Sequence, residues 1–240
     1  MRIIPKLEIK SGYLVKGRQL EGYRKIGDPN LYAERYYLEG ADEICFIDIV
    51  ASLYDRKLIC DIVKGISTKI FIPLSVGGGI KDFKQIKEIF DSGADKIHLN
   101  SHLFTDLNFI EKFEKIYGGQ SISVEVQTKL FEGNYYCFYD RGREFSGIKL
   151  SDWLKNLNNY EFGELIITDI ERDGMKKGVN LELIDLVKQK INQKNLVYSG
   201  GFNPNIDDIS FLKKNLDGLM IALSLHENLF SMKNFSERFN

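Results

Sequence analysis

The feature that most constrains this chain is that it repeats itself. YLEGADEICFIDI corresponds to NYEFGELIITDI, which sets Glu43 against Glu164 and Asp48 against Asp169. IPLSVGGGI corresponds to NLVYSGGFN, with Gly77 against Gly200, and ADKIHLNS to LDGLMIALS, with Ser101 against Ser224. IIPKLEIK corresponds to SISVEVQT, with Glu8 against Gln127. These matches fall at offsets of 119 to 123 residues, so the 240-residue chain reads as two similar halves meeting near residue 120. A repeated supersecondary unit has to bury its apolar face against its copy.

Inside each half, short apolar runs alternate with amphipathic stretches. EICFIDI, FIPLSVGG, KIHLN, ELIITDI and LVYSGG read as strands; NLYAERYYLEG, FKQIKEIFDSG and LELIDLVKQKI read as helices. Several helical stretches end on glycine, the usual C-terminal stop. Strict alternation implies parallel strands joined by crossover helices. Eight such units in a chain of this length make an α/β fold of the (β/α)8 TIM-barrel type. We expect one barrel domain over residues 1–240, built from two (β/α)4 halves, in preference to an open doubly wound sheet.

Composition removes several function classes. With 33 basic and 34 acidic residues the formal net charge is -1, which leaves no electrostatic footprint for nucleic acid or a membrane surface. No apolar run reaches the length of a membrane span, and the N-terminus carries no apolar signal region. Cys45, Cys60 and Cys137 are odd in number and form no CxxC pair, the pattern of reduced thiols in a cytoplasmic protein.

In such a barrel the chemistry lies at the C-terminal ends of the strands. Glu8 and Gln127 end the first and fifth strands, facing each other across the mouth. Gly78 and Gly79 follow strand three; Gly200 and Gly201 follow strand seven. Glycine-rich turns expose backbone amides that cradle anions. Asn100 and Ser101 end strand four, and Ala222 to Ser224 end strand eight, so each glycine turn has a small polar neighbour one strand over. Two such turns on opposite sides of one mouth fit a small molecule with a phosphate at each end.

The first strand, RIIPKLEIK, places Arg2, Lys6 and Glu8 on one face. Because Glu8 belongs at the mouth, that face points inward. The repeat makes Glu125 the counterpart of Lys6, and alternate strands share interior layers, so the two are expected to pair inside the barrel. A lone buried charge there would be costly. Arg2, Glu43, Lys96 and Glu164 begin strands one, two, four and six, and can close into a ring of charge at the bottom. His98 shares the Lys96 face. HLNSH has metal-like spacing but straddles a strand end, so no metal is expected. Trp153 reads as core, and YYCFY as a surface hairpin.

RIIPKLEI, LVKG, GDP at Gly27 to Pro29, GADE, IDIVAS, IPLSVGGGI, GADKIHLNS, TDIERDG and SGG together resemble the histidine-biosynthesis barrel family, on the side of its cyclase members. The likeness runs from Arg2 to about Phe230; IALSLHENLF is closer to the sister isomerase. It implies a carbon–nitrogen lyase or cyclase subunit of imidazole glycerol phosphate synthase that needs no cofactor. The partner would be a glutaminase subunit in a heterodimer, and the substrate a bis-phosphorylated aminoimidazole carboxamide ribonucleotide. The family's catalytic pair falls on Glu8 and Gln127. An amide cannot move protons near neutral pH, so either substrate orientation and the remaining acid, Glu8, suffice or Asp169 or Asp173 substitutes. Substrate contacts carry over to Lys16, in the loop after strand one, and to Asp48, Asn100, Thr168, Asp173, Gly174 and Ser224; a gapless match sets Leu223 at the serine position. The ring of Arg2, Glu43, Lys96 and Glu164 matches the family's ammonia gate, and Asp95 matches a residue that meets the glutaminase. Gln127 and the Lys6–Glu125 pair also suit a relative that passes ammonia to another acceptor, such as a nucleotide sugar in surface-polysaccharide amidation. The glycine turns argue against a third reading, a non-catalytic binding barrel.

Overall fold

The computed structural model describes residues 1–50, 57–192 and 194–233. In chain order the strands are β1 (Arg2–Lys10), β2 (Tyr13–Arg18), β3 (Glu21–Gly27), β4 (Ile44–Asp48), β5 (Leu74–Gly77), β6 (Lys96–Leu99), β7 (Ile122–Phe131), β8 (Asn134–Tyr139), β9 (Glu144–Lys149), β10 (Glu164–Asp169), β11 (Asn195–Ser199) and β12 (Gly218–Ile221). The helices are α1 (Pro29–Leu38), α2 (Lys57–Ser67), α3 (Phe83–Asp91), α4 (Phe109–Tyr117), α5 (Leu150–Leu157), α6 (Leu181–Lys190), α7 (Ile209–Asn215) and α8 (Leu223–His226). β1, β4, β5, β6, β7, β10, β11 and β12 run parallel in that order, and pairing of β12 with β1 and of β7 with β10 closes the barrel.

The alternation of side chains along each strand builds two apolar layers. In β1, Ile3, Leu7 and Ile9 point outward into the core beneath the helices, while Ile4 points inward with Cys45, Ile166, Val197 and Met220. Both faces are covered, which is why these strands read as nearly continuous apolar runs. The GDP segment starts α1: Asp28 accepts from the amides of Asn30 and Leu31, and Pro29 takes the first turn. At the barrel bottom Asp42, Asp95 and Asp217 accept the amides of Ile3, Leu74 and Leu196 at 2.7, 2.8 and 2.8 Å, tying the start of one strand to its neighbour. Among the described residues no helix is long and apolar enough to cross a membrane.

The two halves carry a matching elaboration. β1 continues into the antiparallel β2–β3 hairpin, and β7 into the β8–β9 hairpin. Only the second is signalled by its aromatic run; the first is short and largely exposed along β3. Lys16, expected in a loop, is therefore on strand β2.

The structure also corrects the repeat by one residue at two places. A Cβ on Gly78 would meet the Asp48 carbonyl oxygen at 2.0 Å, and one on Gly200 would meet the Asp169 carbonyl oxygen at 2.7 Å. Their φ angles are 107° and 120°, so Gly78, not Gly77, is the counterpart of Gly200. Three glycines in a row match two glycines in either of two registers, and only the backbone decides. Likewise Asn100 (φ −134°, ψ −84°) and Ala222 (φ −120°, ψ −83°) share one unusual conformation. Ser101 therefore corresponds to Leu223, and Ser224 lies one residue further along, in α8.

Candidate functional site at the barrel mouth

A cavity of about 720 Å³ opens at the C-terminal ends of the strands, with Lys6, Glu8, Gly78, Gly79, Asn100 and Gln127 in its wall. A smaller pocket beside it is lined by Lys16, Asp173, Gly174, Gly200, Gly201 and Ala222. The two glycine turns thus open on separate sides of the mouth.

Between them lies a buried triad. The Lys16 ammonium is 2.8 Å from Glu8 Oε2 and 2.7 Å from Asp173 Oδ1. Asp173 is therefore linked to Glu8, and Asp169 is not. The Asp169 carboxylate instead accepts from Asn180 Nδ2 at 2.8 Å and from the amides of Glu171 and Arg172, closing its own turn and the start of α6. Burial alone would push the Glu8 pKa up, but the charges of Lys16, Lys6 and Arg141 outweigh it and hold the group below its ordinary range. Glu8 is thus ionised at neutral pH. Its Oε1 is buried with no hydrogen-bond partner among the described residues, which leaves it open as a proton acceptor. Gln127 Oε1 is in the same condition.

Several of the expected substrate contacts hydrogen-bond within the protein. Thr168 Oγ1 donates to Glu125 Oε1 at 2.7 Å, and Ser224 Oγ donates to the Phe202 carbonyl at 2.5 Å. Ser101 Oγ accepts the Asp140 amide at 2.9 Å and donates to Asn100 Oδ1 at 3.2 Å; Asn100 Nδ2 donates to the Glu125 carbonyl at 3.0 Å. Asp48 faces the larger cavity, and its Oδ1 accepts the Val50 amide at 3.0 Å. These side chains brace the mouth.

One residue of the site escaped the sequence reading. Arg141 lies at the β8–β9 turn and reaches into the larger cavity, its guanidinium 4.7 Å from the centre of the Tyr23 ring on β3. Burial draws its pKa down, against the pull of Glu8 and Asp173. The local sequence, Asp140-Arg141-Gly142-Arg143, is that of any polar turn; only the folding of this hairpin over the mouth separates Arg141 from Arg143.

Below the mouth, Lys6 Nζ lies 3.6 Å from Glu125 Oε1, and both side chains are nearly fully buried. Burial opposes the Lys6 charge, but Glu125, Glu8 and Asp173 reverse the balance and raise its pKa. Further down, His98 is buried, and burial lowers its pKa; its Nδ1 is 3.7 Å from Cys45 Sγ. At the bottom the charged ring is closed. Arg2 reaches Glu43 at 2.9 Å and Glu164 at 2.5 Å, while Lys96 reaches them at 2.7 and 3.5 Å. Burial would raise the Glu164 pKa, but Lys96, Ser123 and Arg2 bring it down to about 2. Glu43, His98 and Glu164 place three ligand-type atoms within 4.8 Å of one another, but both carboxylates are neutralised by Arg2 and Lys96. His102, in the turn after β6, lines the mouth cavity edge-on to Phe109 and is not part of the Glu43, His98 and Glu164 group. Trp153 stacks on Phe104 in the core, as expected. Asp95 is exposed on the bottom face, beside Lys96 of the ring.

Comparison with known proteins agrees with this architecture. The family model described as "Histidine biosynthesis protein" matches residues 2–231. The chain is 36% identical over 202 residues to imidazole glycerol phosphate synthase subunit HisF of Legionella pneumophila, a match covering 84% of this chain and 95% of that one. It is 41% identical over 182 residues to the HisF subunit of Campylobacter concisus strain 13826, covering 76% and 72%. It is 35% identical over 234 residues to that of Alkaliphilus metalliredigens strain QYMF, covering 96% and 92%. With the closed barrel, the family match over residues 2–231 and these similarities mean that the chain belongs to the histidine biosynthesis protein family.

Proposed function

We propose that the protein is the cyclase subunit of a glutamine-dependent imidazole glycerol phosphate synthase. One observation carries this reading: a buried, ionised carboxylate with a free oxygen, Glu8, lies between two glycine turns at one end of a barrel whose other end is a closed ring of four charges. A glutaminase subunit docks on the bottom face around Asp95. Ammonia enters through the ring of Arg2, Glu43, Lys96 and Glu164 and moves up the interior. At the mouth Gly78 and Gly79 bind one phosphate of the aminoimidazole carboxamide ribonucleotide, and Gly200 and Gly201 bind the other. Glu8 acts as the base. Asp173, joined to it through Lys16, is the second carboxylate, and Gln127 orients the substrate by hydrogen bonding.

Rescue of a histidine auxotroph lacking its cyclase subunit, with E8Q as control, tests this. Growth that depends on Glu8 supports the assignment, and no growth despite soluble expression contradicts it. A second reading, transfer of ammonia to a different phosphorylated acceptor such as a nucleotide sugar, draws on two observations. Gln127 is an amide at the mouth, and Lys6 and Glu125 put charge into the ammonia path. Under that reading glutamine is consumed but imidazole glycerol phosphate does not form.

A further inference from the structure

We propose that Arg141 is a catalytic residue, the electrophilic group that receives the carbonyl oxygen of the acceptor when ammonia adds to it. The inference rests on the ammonia-using reading above. It starts from a chemical gap. Ammonia adds to a ketone such as that of a ribulosyl group by donating its lone pair to the carbonyl carbon. The C=O π pair then moves onto oxygen. The new C–N nitrogen must lose a proton, and the oxygen must be protonated or held by positive charge. Glu8, ionised and with Oε1 free, can take the proton. Gln127 cannot give one to the oxygen, and Asp173, the second carboxylate, lines the smaller pocket with its Oδ1 held by Lys16 at 2.7 Å.

Arg141 has what the oxygen needs. The turn that carries it is fixed over the mouth: Asp140 donates its amide to Ser101 Oγ at 2.9 Å, and Asp140 pairs with Arg143 at 2.9 Å. Asp140 and Arg141 both take left-handed backbone conformations, φ 46° and 64°. The Arg141 guanidinium lies over the Tyr23 ring and has no hydrogen-bond or ion-pair partner among the described residues. A guanidinium covered on one face by an aromatic ring keeps its in-plane N–H fork free, the geometry suited to oxygen. The Tyr23 hydroxyl is itself buried without a partner among the described residues, so the same corner holds a further donor. The corner is rich in donors, and the same cavity holds two acceptor atoms without partners among the described residues, Glu8 Oε1 and Gln127 Oε1. That polarity matches a carbonyl whose oxygen gains charge while its carbon takes on an amine.

The test uses wild type, R141K and R141Q with the bis-phosphorylated ribonucleotide and ammonium chloride as nitrogen source, so coupling to a glutaminase does not enter. We expect R141Q to lower kcat by about 10²–10³-fold, the usual effect of removing an oxyanion donor, with KM changed by less than about 3-fold. R141K, which keeps the charge and loses the fork, should recover part of kcat. A kcat for R141Q within about 3-fold of wild type overturns the proposal. Independently of turnover, crystals soaked in sodium nitrate, a planar oxyanion, should hold nitrate on Arg141 in wild type and not in R141Q. Absence of nitrate from Arg141 in wild type also overturns it. A wild type that binds nitrate there but gives no turnover counts against the cyclase reading alone.

Discussion

Lys6 Nζ and Glu125 Oε1 meet 3.6 Å apart inside the barrel, on strands that are each other's counterparts in the two halves. Lys6 is in register with Cys45, and Glu125 with Ile166, the same positions one repeat apart. Thr168 fixes the carboxylate from the side, so the pair is a built layer across the interior.

Breaking that layer on one side should be worse than removing it. Lys6→Ala leaves Glu125 uncompensated and should cost about 3–5 kcal/mol, while K6A/E125A should recover much of the loss. Urea unfolding of the four proteins of the cycle measures this. A coupling energy near zero would mean that the two charges do not sense each other.

Acid should weaken the fold in two stages. Burial, and to a lesser extent Lys16, holds the His226 pKa at about 3, against an ordinary 6.5, and Glu164 is held at about 2 against 4.5. Both folded values are depressed, so both contributions are complete above the ordinary pKa and are lost as pH falls toward the folded one. The His226 contribution fades from pH 6.5 down to about 3, and the Glu164 contribution from 4.5 down to about 2. Each group adds at most about 1.4 kcal/mol per pH unit in its window. Urea midpoints measured from pH 8 to pH 4 should be level down to about 6.5 and then decline, and H226Q should flatten the first part of that decline. An identical slope in H226Q would assign the acid sensitivity to other groups.

The bottom face should separate partner binding from folding only if the substitution respects the backbone. Asp95 Oδ2 holds the Leu74 amide at 2.8 Å, so D95K would disturb β5 as well as any interface. D95N keeps an acceptor for that amide and removes the charge. We expect D95N to fold normally and to weaken glutaminase association by about 3–10-fold, read by calorimetric titration. Unchanged affinity would place the interface elsewhere.

Much of this architecture was legible before folding. The offsets between Glu43 and Glu164 and between Glu8 and Gln127 survive in the strand register, because inward-facing residues on paired strands must keep step. The Lys6–Glu125 pair and the four-charge ring follow from the same logic. Other parts could not be read. The Gly77–Gly78–Gly79 run slides freely against Ser199–Gly200–Gly201 until backbone angles fix it. The hydroxyls of Ser101 and Thr168 looked available, but their partners, the Asp140 amide and the Glu125 carboxylate, are brought to them only by folding. Arg141 lay hidden for the same reason, in a turn whose local sequence resembles any exposed loop.

The glycine turns themselves give a direct structural prediction. Crystals soaked in sulfate should show one anion at Gly78 and Gly79 and another at Gly200 and Gly201. Gly78→Ala, whose methyl would meet the Asp48 carbonyl at 2.0 Å, should lose the first anion and keep the second. Sulfate at neither turn in wild type would remove the basis for a doubly phosphorylated substrate.

The central claim is that ammonia released by a glutaminase crosses this barrel to a bis-phosphorylated ribonucleotide at the Glu8 end. Its most direct test is product formation by the reconstituted complex, supplied with glutamine and the aminoimidazole carboxamide ribonucleotide and followed by mass spectrometry with amide-¹⁵N glutamine. We predict that ¹⁵N appears in imidazole glycerol phosphate, with E8Q reducing its formation by about 10²-fold or more while glutamine is still hydrolysed. Glutamine hydrolysis by the wild-type complex, with no labelled imidazole glycerol phosphate formed, would contradict the account.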